Sequence, residues 1–381
     1  MEKRNVPKLR FKGFEDEWRS LSIGNTLKIK HGKDQKKIIS ENGIYPILGT
    51  GGEIGRTNTP IYSKESVLIG RKGTIDKPFY MNSPFWTVDT LFYSEILDGF
   101  YAKLLFYSFQ RINWKKYSEA SGVPSLSAST IENIKYNIPK LEEQTKIANF
   151  LSNVDNIIEE QEGKVKDLEQ YKKGMMQKIF KQEVRFKDEN GVEYPEWEEK
   201  KLGNVANIIG GGTPSTGESE YWDGNIQWFT PTEIKNRKYI SKSIRTITND
   251  GLKNSSAKLL PKGTILLSTR ATLGEMAILE NEATTNQGFQ SLNIKEGFNN
   301  EFIYYLKDKI KKYCYKNSSG STFLEISKSS LEKFKTKYPC LQEQTKIANF
   351  LCNIDNIIEE ENKKLEDLKL WKKGLLQQMF V

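Results

Sequence analysis

A chain of 381 residues with 37% hydrophobic and 11% aromatic residues can fill two or three folded domains, which excludes a disordered polymer. Its mean hydropathy of −0.62 and the lack of any run near ~18 apolar residues exclude a membrane span. One histidine and three cysteines without C-x-x-C spacing give no basis for a zinc site, a His-based triad or a disulfide framework, and the net charge of +9 suits a polyanionic partner, although a mild basic excess also serves solubility alone.

The N-terminal stretch to Arg10 is basic but has no apolar run, so a secretory leader is not expected and the compartment is expected to be the cytoplasm. Residues 1–140 hold most of the basic excess, 22 Lys/Arg against 14 Asp/Glu. Short strand-like runs such as Ser66 to Ile69 alternate with Gly-rich turns, and Tyr101 to Phe109 reads as a helix. Residues 143–151, EQTKIANFL, then open a long helical pattern just past Pro139, a residue that can precede a helix but not sit inside one. Its apolar seam is Ile147, Leu151, Val154, Ile158, Val165 and Leu168, a heptad stripe with polar Gln161 at one seam position.

The second half repeats this order. Residues 183–340 carry strand-like Thr264 to Leu267 and a helix-like stretch from Glu301 to Tyr313. EQTKIANFL then recurs at 343–351, and 24 of 39 positions are identical between 142–180 and 342–380. The second seam is Ile347, Leu351, Ile354, Ile358, Leu365 and Leu368, with Glu361 at the polar place. About 30 residues per helix predict a length of roughly 45 Å. Two equal stripes in one chain can bury each other as an intramolecular coiled coil, or each can pack on its own neighbouring globule. Heptads alone leave parallel and antiparallel pairing open. Frames on both sides of the globules also repeat, with Val184-Arg185-Phe186-Lys187 echoing Leu9-Arg10-Phe11-Lys12, while the interiors share little. The expected architecture is α+β: a globule at 1–141, a helical spacer at 142–181, a second globule at 182–340 and a second spacer at 341–381.

Catalytic motifs fail. There is no G-x-x-x-x-G-K-[ST] loop, and Gly49-Thr50-Gly51-Gly52 lacks both the spacing and the β-α-β setting of a dinucleotide site. Ser83-Pro84-Phe85-Trp86 lacks the second proline of an amino-methyltransferase loop, so a non-catalytic chain with no metal and no cofactor is expected. What remains suits nucleic acid, because cations at loop tips meet phosphates, Arg reads guanine, and Asn or Gln reads adenine. In the first block the candidates are Lys30, His31, Lys33, Arg56, Arg71, Lys72, Thr74, Trp86 and Thr87. In the second they are Gly211, Thr213, Pro214, Ser215, Thr230, Lys235, Arg270, Thr272, Asn286, Gln287, Ser319 and Ser321. A lone loop arginine is as readily a solvated or ion-paired surface residue, and the tryptophans serve equally well in a core.

The EQTKIANFL repeat with Asp-Asn-Ile-Ile-Glu-Glu, the Gly-Gly-Thr-Pro-Ser loop at 211–215 and the Ser-Gly-Ser-Thr segment at 319–322 resemble the specificity subunit of a Type I restriction–modification system over the whole chain. The resemblance implies two target-recognition domains, each reading one half of a split double-stranded DNA sequence, held apart by two antiparallel helices acting as a ruler. It also implies two modification subunits that methylate adenine using S-adenosylmethionine, and two restriction subunits that cut and translocate, none of these activities lying in this chain. The first block departs from the pattern: His31-Gly32-Lys33-Asp34 stands where the second has Gly-Thr-Pro-Ser, and Ser-Gly-Val-Pro-Ser at 121–125 keeps only part of the later segment. A reading from another class is a scaffold whose coiled coil joins two proteins without base readout; weak salt dependence would mark it, against the steep dependence of a DNA reader.

Overall fold

The computed structural model describes residues 5–235, 237–320 and 324–381. Contacts divide the chain into two compact units, one holding the first block up to Val165 together with Glu361–Val381, the other Lys166–Glu360. Each long helix is thus shared between them.

In the first unit an antiparallel pair, Arg19–Ser22 with Lys135–Ile138, stands beside a four-stranded antiparallel sheet. That sheet runs in the order Leu27–Lys30, Leu91–Ile96, Ser66–Gly70, Phe79–Met81. A second, three-stranded sheet pairs Gly52–Thr57 antiparallel to Tyr45–Gly49, which lies parallel to Trp86–Thr87. Strand Ser66–Gly70 is buried along its length, so its apolar run carries no alternation. Helix Ala102–Phe109 supplies Leu104, Leu105 and Phe109 to a core shared with Trp18, Phe92 and Trp114.

The second unit repeats the plan. Glu198–Lys201 pairs antiparallel with Lys335–Tyr338, and a five-stranded sheet runs Ala206–Gly210, Gln290–Ile294, Ile265–Leu267, Met276–Leu279, Tyr239–Ile240. Its three-stranded partner places Trp222–Phe229 between antiparallel Arg245–Ile247 and parallel Thr284–Thr285. The expected helix after Glu301 is two pieces, Asn300–Tyr304 and Lys307–Asn317, the first capped by the Asn299 side chain.

The long helices run Leu141–Phe180 and Leu341–Gln378, 40 and 38 residues against the 30 expected. Each helix runs on past the last seam residues, Leu168 and Leu368, without a break, so each is about 60 Å long. Why EQT recurs is visible at both helix starts. Buried Gln144 donates to the Pro139 carbonyl (2.9 Å) and accepts from the Tyr101 amide (2.9 Å); buried Gln344 does the same with Pro339 (2.8 Å) and Asn299 (2.9 Å). Each glutamine satisfies one carbonyl at the strand-to-helix turn and one amide at the start of the short helix of its unit. Buried Glu143 takes Arg10 (2.7 and 2.8 Å), and buried Glu343 takes Arg185 (2.9 and 3.3 Å). Further along, the Tyr107 hydroxyl donates to Asp155 (2.7 Å) and the Tyr305 hydroxyl to Asp355 (2.5 Å). Burial, then the adjacent carboxylate, holds both tyrosines protonated.

Within each unit the two helices pair antiparallel. In the first, Phe150 meets Trp371 edge-on, Asp155 pairs with Lys372 (2.6 Å), Glu162 with Lys369 (2.9 Å) and Lys164 with Glu361 (3.0 Å). In the second, Lys172 pairs with Asp355. Leu151, Val154, Val165, Leu351, Ile354 and Leu365 are buried, while Ile158, Leu168, Ile358 and Leu368 are half-buried. Each helix start also packs on its own globule: Ile147, Leu151 and Val154 join the first core, and Ile347 and Leu351 the second. The two polar seam residues meet each other. Gln161 donates to the Glu361 carboxylate (2.7 Å) and carbonyl (2.9 Å), and Gln161, Lys364 and Lys164 together bring the Glu361 carboxyl down to about 2.

Candidate nucleic-acid interface

Apart from Lys30, Arg56, Trp86 and Thr87, which lie on strands, the candidate residues described sit on segments that leave the sheets, and in the second unit those segments form one hydrogen-bonded cluster. The Gly212 amide donates to the Thr285 carbonyl (2.8 Å), which brings Gly211 against Asn286 so closely that a Cβ there would lie 2.0 Å from the Asn286 oxygen. Only glycine fits. The Thr213 hydroxyl reaches Gln287 (2.5 Å), Thr272 reaches the Pro231 carbonyl (3.1 Å), and Arg270 reaches Glu325 (3.0 Å) and the Gln287 carbonyl (3.5 Å). Thr230 closes its own turn onto Glu233 (2.6 Å). Ser319 pairs main chain to main chain with Glu325 (2.9 and 3.0 Å), and Lys235 is exposed. Ser321 lies outside the described residues.

The first unit carries the same frame with other side chains. The Lys33 amide donates to Thr87 (2.9 Å) as Gly212 does to Thr285, and a Cβ on Gly32 would meet the Val88 oxygen at 2.1 Å, as one on Gly211 would meet Asn286. The Arg71 amide donates to Thr90 (2.8 Å) and its carbonyl accepts from Leu126 (2.9 Å); Thr269 makes the corresponding bonds with Gly288 (2.8 Å) and Ile326 (3.3 Å). Val88 and Asn286 each donate to the neighbouring parallel strand, at Leu48 and Phe229 (both 3.0 Å). With one constant spacing, Gly70-Arg71-Lys72-Gly73-Thr74 therefore matches Ser268-Thr269-Arg270-Ala271-Thr272, and Val88-Asp89-Thr90 matches Asn286-Gln287-Gly288. The match extends to the backbone: Gly73 has φ +92° and Ala271, unusually for a residue with a side chain, φ 60°.

The frame sorts the candidates by accessibility. Trp86, Thr87 and Pro214 are buried, so they shape the surface from beneath and are not placed to touch a ligand directly. The Trp86 indole donates to the Lys33 carbonyl (2.9 Å), and Trp228 does the same for Gly212 (2.8 Å) from a different strand. Exposed or partly exposed are His31, Lys33, Arg71, Lys72 and Thr74 in the first unit, and Thr213, Ser215, Arg270, Thr272, Gln287 and Ser319 in the second. Arg71 is held by Asp89 (2.6 Å). Lys30 pairs with Glu95 (3.1 Å), whose hydrogen bond raises the lysine above its ordinary range, and Arg56 pairs with Glu53 (2.9 Å) on the outer strand of the three-stranded sheet, apart from the cluster. Two groups escaped sequence reasoning. Arg245 stacks 3.6 Å over the Trp222 ring beside the 211–215 loop, and Ser256 and Ala257 back Gly212. A lone strand arginine gives no signal of such a neighbour.

Among the described residues no His/Cys/Asp/Glu group could hold a metal ion, and no helix is long and apolar enough to cross a membrane. Burial pushes the Cys314 thiol up to about 12, away from nucleophilic use.

Two loop clusters built on one frame, each with its own side chains, define a protein that presents two different polar surfaces rather than one catalytic pocket. The family model described as "Type I restriction modification DNA specificity domain" matches residues 15–170 and 194–370, and the chain belongs to this family of specificity subunits, which are recognition components and not catalysts. Among its relatives, the Type I restriction enzyme MjaIX specificity subunit of Methanocaldococcus jannaschii is 40% identical over 207 residues, 53% of this chain and 48% of that one. The chain thus spans about half the length of that relative. The MjaVIII specificity subunit of the same organism is 26% identical over 95% of this chain and 91% of its own length. The crystal structure of the Type-I restriction-modification system S subunit from M. genitalium shares the fold with a TM-score of 0.64 and 18% identity, over 99% of each chain.

Proposed function

We propose that this chain reads a split, asymmetric sequence in double-stranded DNA, one half-site per unit, and brings two modification subunits and two restriction subunits of a Type I system to it. The observation that carries the reading is the shared loop frame with unlike tips: one geometry offered twice, with Arg71, Lys72 and Asp89 in one unit and Arg270, Thr213 and Gln287 in the other. Equal frames suit equal approaches to a duplex, and unlike side chains suit unlike bases. The two long helices are proposed to set the number of unread base pairs between the half-sites. DNA advances about 34 Å per turn, so helices of about 60 Å are on the right scale.

The decisive experiment exchanges residues 1–140 for the matching block of another specificity subunit and maps methylated motifs in cells carrying the partner subunits. One half of the motif changes and the other stays. Altered bases in both halves contradict the assignment. Shortening both helices together changes the gap length, and an unchanged gap refutes the ruler.

A further inference from the structure

Among the arginines and amides of the two loop clusters, one in each unit keeps its base-reading groups open. An arginine has five N–H donors in a planar fork, and guanine is read through two adjacent ones. At Arg71, Asp89 occupies only Nη1, through its carboxylate at 2.6 Å and its carbonyl at 3.3 Å. The Nε–Nη2 edge meets no acceptor among the described residues, and the side chain is 39% exposed. Arg270 is the reverse case. Its Nε is buried and meets no acceptor among the described residues, and its Nη2 is shared between Glu325 and the Gln287 carbonyl, so that same edge is half buried and half spent on tying loops together.

The amides divide the same way. Asn286 is half-buried and its oxygen accepts the Gly288 amide (2.9 Å), a turn-forming bond. Gln287 is exposed. Thr213 donates to its Oε1, which fixes which way the amide faces and leaves, among the described residues, one lone pair on Oε1 and both Nε2 donors open beside it. An acceptor next to a donor is the pattern that matches adenine N6 and N7. Asp89 and Gln287 occupy the same place in the frame, yet one orients a neighbouring reader and the other is the reader.

We infer that Arg71 selects a G·C pair in one half-site and Gln287 an A·T pair in the other, with Asp89 and Thr213 as positioning residues and Arg270 and Asn286 as loop ties. The inference rests on the DNA-reading function proposed above.

The test uses the full chain assembled with its modification subunits, a randomised duplex library, and sequencing of the bound fraction. R71A makes one G·C position degenerate, with discrimination there falling roughly ten- to hundred-fold, and leaves the opposite half-site intact. R71K keeps the charge but also loses that position, because a point charge cannot mimic the fork. Q287A relaxes one A·T position in the other half-site only. D89N and T213V, which retain the readers, weaken discrimination at those same two positions and nowhere else. A wild-type complex that enriches no motif refutes the DNA-reading function and this assignment with it. A wild-type motif that survives R71A and Q287A unchanged, or a change in the wrong half-site, refutes the assignment alone.

Discussion

Arg185→Ala is the sharpest probe of how each globule is fixed to its helix start. The guanidinium makes two bonds to Glu343 (2.9 and 3.3 Å), one to Glu196 (3.1 Å), and two to the carbonyls of Tyr194 (2.9 Å) and Pro195 (2.6 Å). Glu343 is fully buried, and after truncation the Trp197 indole at 3.1 Å is the partner it keeps. Removing one member of a buried pair costs about 3–5 kcal/mol, mostly because a charge is left in the core without compensation. In a unit of this size 1 kcal/mol moves the midpoint by about 2–4 °C, so the thermal transition of that unit falls by roughly 6–20 °C. Scanning calorimetry alongside tryptophan fluorescence reads it. The double variant R185M/E343L recovers part of the loss, since an apolar pair leaves no unpaired charge in the core, while the Trp197 indole and the Tyr194 and Pro195 carbonyls still lose their partners. A shift under about 2 °C for R185A, or a double variant as damaged as the single one, refutes the reasoning.

Other outcomes follow from the same geometry. Glu361 is held well below its unfolded value of 4.5, at about 2, so its stabilisation of the helix pair is complete above pH 4.5 and is lost as pH falls from there towards 2; in acid titrations of helicity the wild-type advantage over E361Q is constant above pH 4.5 and shrinks across that window, and a gap independent of pH refutes it. Gly211→Ala places a Cβ 2.0 Å from the Asn286 oxygen and forces the second cluster open, erasing one half-site in a methylation map, while Gly51→Ala, with open space around it, leaves the map unchanged. Ala271→Gly relieves a left-handed backbone and raises the second unit's stability by about 1 kcal/mol in denaturant melts with the target motif unaltered. Leu351→Ala, at a fully buried seam position that also enters the globule core, lowers stability by about 2–5 kcal/mol in the same melts.

The helices, their duplication and their polar seam position were legible because heptads and identities are written in side chains. Gln161 and Glu361 stood out as the gap in each stripe; that they face one another depends on the register of the two helices, which the stripe does not encode. The helices outran the expected length because a heptad stripe marks only the turns that bury apolar residues, whereas the backbone hydrogen bonds carry each helix on past Leu168 and Leu368. The loop frame was nearly invisible. Its bonds run from amide to carbonyl, so Lys33 and Gly212, or Arg71 and Thr269, hold equivalent places without resembling each other. His31-Gly32-Lys33-Asp34 looked like a departure from Gly-Thr-Pro-Ser, yet Gly32 fills the same tight approach as Gly211. Candidate readers were chosen by residue type alone, which cannot separate Arg71, with an open edge, from Arg270, whose edge is used up.

A scaffold fastened through its main chain has a consequence for how new specificities arise. Letters at the reading positions can be exchanged by point substitution with little penalty to folding, since main-chain bonds hold them, while Gly32, Gly211 and the tying side chains of Arg270 and Asn286 stay fixed. Diversification of the target is then limited by what the duplex tolerates, and hardly at all by what the fold tolerates.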